Sequence, residues 1–232
     1  MTRFAVVSLL GVAIFAMTLW LGAINPKTIA HPIVGDGRDP IIAFEMVRSP
    51  ADLTAVIGEN RFQFADLRAK FDKINQIDFI YLTLYGAFLA LFFMAVAHQR
   101  GDRRWLILSL VAVVAMLGDV RENMVLLTMT KGGGDVAAQI HALMLTTWIK
   151  WFGLGVTSLG AALAFFEDHS MPTFRLLGAL VGVTAVAYTV ATYFNPFKYA
   201  EYMTLAIFVT WIMMVFYAYR VDRATRSNAT QG

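Results

Sequence analysis

Asp119, Glu122 and Asn123 stand at i, i+3 and i+4 inside an otherwise apolar run, so on a helix they share one face. Two carboxyls beside an amide form a set suited to proton transfer. One carboxyl, shielded from water, can act as a general acid, while the second, held by a cation, stays ionised as base or electrostatic stabiliser. In that scheme Glu122 is the acid, Asp119 the ionised partner and Asn123 a donor that orients substrate. Ionisable side chains at bilayer depth cost several kcal/mol unless paired or facing a wet cavity, which makes this trio the first candidate site.

The cation is Lys150. Two successive apolar runs meet at a turn near Lys131–Asp135, and residues equally far from it lie at similar depth when the helical rise is about 1.5 Å per residue. By that count Lys150 is level with about residue 117, within a turn of Asp119. Asp119 is its first expected partner and Glu122 its second, so Asp119, Glu122 and Lys150 form the expected catalytic group. With Arg121 they sum to zero formal charge, but Arg121 points about 200° around the helix from Asp119 and is expected to snorkel away.

On the Lys150 helix, Thr146, Thr147 and Lys150 form one stripe, and His141, Leu145 and Trp148 form another. The more polar Lys150 stripe is expected to face Asp119, because an unpaired Lys costs more than an unpaired neutral His. Nearer the outer surface, Asn75, Asp78, Tyr81 and Tyr85 recur at helical spacing. Asn123, Asp78, Tyr81, Tyr85, His141, Trp148, Thr146 and Thr147 are therefore the candidate substrate-binding residues. The polar groups grade from one rim toward the middle, and the other halves of these runs are nearly pure hydrocarbon. That distribution fits a cavity reaching part-way, open to the outer face or the outer leaflet, better than a through-pore. No metal site and no cofactor are expected: the four histidines do not converge with the carboxyls by depth, and no cysteine is present.

The elements that must position these groups are membrane helices. Apolar residues make up 58% of the 232, charged residues only 15%, against about 25% charged in a soluble domain. Mean hydropathy is +0.61. Runs of roughly 20 apolar residues, each long enough to cross about 30 Å of hydrocarbon, occur at 4–23, 77–97, 105–129, 136–166, 174–193 and 200–219. The expected fold is an all-α integral membrane protein, a single domain over 1–232 built as a six-transmembrane-helix bundle. The first run is read as a retained signal-anchor, being longer than the 7–15 residues of a signal-peptide core. Arg3, the group Arg100, Arg103 and Arg104, and the group Arg220, Arg223 and Arg226 all fall on one side of six spans. The positive-inside rule makes that side cytoplasmic, with both termini there, in a membrane read as a bacterial cytoplasmic membrane. The net charge of +3 follows from this topology, and no nucleic-acid partner is expected.

The one substantial extramembrane piece is 25–76. An amphipathic stretch follows Pro40. A helix starts at Pro50 with Ser49 as its cap and ends at Gly58, and a third amphipathic piece, 62–73, feeds the second span. Together they are candidates for a lid. The ligand implied is a membrane lipid or a small lipophilic molecule, processed by acid–base chemistry. Two alternatives stand beside this. One is a non-catalytic lipid- or cofactor-binding subunit of a membrane complex or homo-oligomer. The other is a proton-coupled transporter, against which the spans show no inverted repeat.

Overall fold

A computed structural model describes residues 2–31, 39–169 and 172–229. Residues 32–38 fall outside that description. Eight α-helices carry the described residues, with no strand among them: α1 Arg3–Ile24, α2 Pro40–Glu45, α3 Pro50–Ile57, α4 Ala65–Arg100, α5 Trp105–Lys131, α6 Val136–Glu167, α7 Pro172–Phe194 and α8 Pro196–Ala229.

Local chemistry sets the boundaries. Ser49 accepts a hydrogen bond from the Asp52 N–H at 3.1 Å, Pro50 occupies the first turn, and Gly58 closes α3 at φ 73°. The third amphipathic piece does not stay separate from the second span. Ile74, Asn75 and Gln76 supply neither Gly nor Pro to break a helix, so both merge into α4, 36 residues long. At 1.5 Å per residue α4 is about 54 Å, so its first turns stand clear of a 30 Å hydrocarbon layer. Asn75 and Asp78 consequently lie well inside α4 and do not cap it. Gly132, Gly133 and Gly134 turn the chain between α5 and α6 with φ of 70°, 92° and 77°, a backbone that side-chain-bearing residues rarely adopt. Asp135 then caps α6 by accepting from the Ala137 and Ala138 N–H groups.

Consecutive long helices pack side by side from α4 to α8, and α1 fits between α8 and α4. The six long helices thus close a ring. Leu9, Val12 and Leu19 on α1 and Leu176, Leu180 and Val183 on α7 face outward and are exposed, as a lipid-facing rim requires. Five of the six (α1, α4, α6, α7 and α8) are long and apolar enough to cross a membrane. The architecture is that of an all-helical membrane protein. α5 differs in one respect: every 18-residue stretch of it contains Asp119, Arg121 and Glu122.

Thr2 on the N-terminal flank of α1 donates to Asp222 of α8, and Arg100 at the end of α4 pairs with Glu167 at the end of α6. These contacts gather the three arginine clusters at one end of the ring. The opposite end holds the glycine turn, α2 and α3. There α2 does not lie on a surface. Phe44 and Val47 are fully buried, Phe44 sits 5.0 Å from the Phe71 ring, and both belong to an apolar cluster with Val125, Leu126, Ile140 and Leu143. The helix is wedged into the mouth of the ring.

Candidate functional site: a carboxylate cluster around Lys150

Gly118 is where α5 and α6 come closest to the site. A Cβ there would lie 2.8 Å from the Ile149 side chain and 3.2 Å from the Lys150 backbone nitrogen, so only glycine lets the helices approach this far. Small residues serve the same purpose at membrane helix contacts generally. One turn away, Gly153 meets Ala115. The depth count from the sequence, which set Lys150 beside residue 117, agrees with this contact.

Lys150 is 3% exposed. Its Nζ lies 2.8 Å from Glu45 Oε2 and 3.4 Å from Asp119 Oδ1, and it contacts Glu122 Oε2 directly. None of those three oxygens receives another hydrogen bond among the described residues. An ammonium carries three N–H donors, matching three carboxylates in number. Formal charge does not match. Arg121 is exposed on the far face of α5, as its angle around the helix requires, and Glu45 joins the cluster from α2. One cation therefore faces three acids.

The second oxygens of Glu122 and Asp119 are also held. Thr147 donates to Glu122 Oε1, and Tyr85 donates from its hydroxyl to Asp119 Oδ2 at 2.7 Å. The fourth acid, Asp78, accepts from Asn123 Nδ2 at 2.6 Å. Lys150 also lies 4.7 Å from the centre of the Trp151 ring, a cation–π contact.

Beside this cluster is a cavity of about 400 Å³ at the end of the ring that carries α2. It is lined from α4 by Asn75, Asp78, Tyr81 and Tyr85, from α5 by Asp119 and Asn123, and from α6 by Lys150. Residues 18–25 of α1 and its flank, 39–45 around α2, and 204–211 of α8 complete the wall. Tyr81, Tyr85 and Trp211 form an aromatic side to it, with the Tyr85 and Trp211 rings stacked at 5.4 Å. Thr18 donates to the Tyr81 hydroxyl at 3.2 Å.

Several sequence candidates lie elsewhere. Glu122 is fully buried behind Lys150 and does not reach the cavity wall, so it meets Lys150 and Thr147 but no ligand placed there. Thr147 is beside it. Thr146 is spent on its own helix, donating to the Ala142 carbonyl at 2.9 Å. Trp148 packs against Tyr193, with Arg48 5.5 Å from its ring. His141 is exposed on the opposite face of α6. The reason is the helical angle: once Lys150 turns inward, His141 and Leu145 must turn out.

Glu45 and Trp211 belong to the site but do not stand out in the sequence. Glu45 is the single acid in the amphipathic stretch after Pro40, and that was the only available signal. It comes within reach because Asp39 anchors the start of α2, accepting from Asn25 Nδ2 at 2.6 Å while its backbone N–H donates to Glu201 at 3.0 Å. Comparison with protein-family models, with curated proteins and with solved structures finds no match for this chain.

Proposed function

We propose that the chain is a six-span protein of a cytoplasmic membrane, both termini inside, whose cavity binds a small lipophilic molecule and moves a proton on it. α5 counts as the sixth span because it lies in the ring between two apolar helices of crossing length. Its acids Asp119 and Glu122 and its amide Asn123 turn inward, and Arg121 is left to reach out along the helix surface.

The observation that carries the reading is the surplus of acid against the cavity. A network built only to neutralise Lys150 needs one carboxylate. This one holds Glu45, Asp119 and Glu122, and it adds Asp78 on the same cavity wall. Keeping four acids around one buried base is costly, and three of the four line the cavity. Asp119 is the group best placed to exchange a proton with a ligand, since Lys150 and Tyr85 fix its two oxygens. Asp78 is the second, its carboxyl oriented by Asn123. Glu122 and Thr147 act as positioning residues through Lys150. A ligand seated in the cavity lies between Asp78 and Asp119, one able to give a proton and the other to take it.

D119N and D78N test this. Lipid extracts of membranes holding wild-type protein, each variant, or no protein are compared by mass spectrometry. The expected result is one lipophilic species that accumulates with the variants and is converted with the wild type, while both variants purify folded. Identical extracts in all four samples would overturn the reading and leave a binding subunit.

A further inference from the structure

A second void, of about 590 Å³, runs along the outside of the ring between α1 and α8. Its wall is almost entirely carbon, from Val12 and Phe15 on α1 and Ile212, Val215 and Phe216 on α8. Val12, Phe15 and Ile212 are 62%, 46% and 47% exposed, so this groove opens to the hydrocarbon. From Phe208 to Tyr219 it follows α8 for about 16 Å. Phe208 and Trp211 belong to its wall and to the wall of the acidic cavity alike. On α1, Ile14 of the groove and Thr18 of the cavity are one turn apart. The two voids are neighbours that share Phe208 and Trp211, one acidic and aromatic, the other apolar.

The acidic end has the chemistry of a cation site. Asp78 and Asp119 share the cavity wall with the rings of Tyr81, Tyr85 and Trp211, and carboxylates together with aromatic rings recognise ammonium groups. It also has donors without acceptors. Asn75 Nδ2, Trp151 Nε1 and Trp211 Nε1 are on buried side chains, at 1%, 7% and 6% exposure, and none has a hydrogen-bond partner among the described residues. All three residues line the cavity. A buried donor left unpaired is costly, and an oxygen on the ligand would relieve it.

Resting on the reading of the cavity as a ligand site, the geometry points to a single-chain amphiphile with a protonated amine and a neighbouring hydroxyl or carbonyl oxygen. The ammonium lies against Asp78 and the Tyr85–Trp211 pair, the oxygen accepts from Asn75 and the indoles, and the chain leaves past Phe208 along the α1–α8 groove. Entry is lateral, from the bilayer.

The probe is N-dodecylethanolamine, titrated into protein held in phosphatidylcholine nanodiscs and followed by tryptophan fluorescence. Dodecanol and dodecanoate are the neutral and anionic controls. The amine should bind at least ~10-fold tighter than either, as a desolvated cation–π and ion pair implies. D78N should erase that preference. V12W, which fills the groove, should weaken N-dodecylethanolamine but leave N-butylethanolamine, too short to use the groove, unaffected. Equal affinity for dodecanol would overturn the amine head, and undiminished binding in V12W would overturn the groove. The ligand comparison needs no variant, so it stands even where D78N does not fold. Protein that converts a neutral lipid in the extracts yet ignores the amine fails this inference alone. Protein that binds the amine while D119N alters no lipid fails only the proton-transfer reading.

Discussion

At the residue scale, Lys150 organises the site, and its removal is the more damaging side of the bargain. Losing it strands Glu45, Asp119 and Glu122 together without a cation, whereas losing Glu122 leaves Lys150 with two partners. K150M should therefore cost about 3–5 kcal/mol of stability, the usual penalty for orphaning buried charge, and E122Q clearly less. Adding E122Q to K150M should recover part of the loss, because one stranded charge disappears. Unfolding of the purified variants in mixed micelles, followed by circular dichroism, checks the order; K150M as stable as wild type would contradict it. The pairing of Lys150 with Asp119 and Glu122 was legible beforehand, since helices joined by a tight turn share a depth scale. Glu45 was not. It lies 105 positions before Lys150 — counting from Glu45 to Lys150 — and no turn relates their depths.

At the scale of elements, α2 is the piece whose role the pattern understated. Its amphipathicity, with Pro40 at the start, was readable, but the same pattern describes a helix lying flat at an interface. What decides is the partner surface: Phe44 and Val47 enter an apolar pocket made by α3 together with α4, α5 and α6, which only the folded chain provides. F44A should cost about 3–5 kcal/mol, the range for deleting a large buried aromatic. More specifically, hydrogen exchange should speed up over 40–47 while α7, which does not touch Phe44's cluster, keeps its protection. Uniform acceleration across the chain would mean that α2 unfolds only with the whole. Local capping signals transferred well to the neighbouring α3, where Ser49, Pro50 and Gly58 are contiguous in sequence. The merger of 62–73 into α4 was missed for the opposite reason, because a composition change from amphipathic to apolar is no helix break.

At the scale of the whole molecule, six long helices close a ring whose acidic cavity lies toward the end opposite the arginines. The five apolar helices of crossing length were readable because hydrocarbon thickness fixes their length, whereas the ring order, with α1 inserted between α4 and α8, depends on packing that hydropathy does not encode. The absence of cysteine makes the topology directly measurable. Under a membrane-impermeant maleimide, G133C should react in intact cells, and R103C and S227C only after permeabilisation. G133C and R103C reacting on the same side would show that α5 does not cross. The triple contact of Lys150 also has a consequence for biogenesis. Glu45 emerges from the ribosome long before Asp119, Glu122 and Lys150, so during synthesis the acid of α2 has no Lys150 to pair with until they follow. The α5–α6 hairpin carries its own neutralising pair of Glu122 and Lys150, which lets it enter the bilayer as one unit. α2 can complete the cluster only once that hairpin is in place, since three of its four members, Asp119, Glu122 and Lys150, arrive with the hairpin.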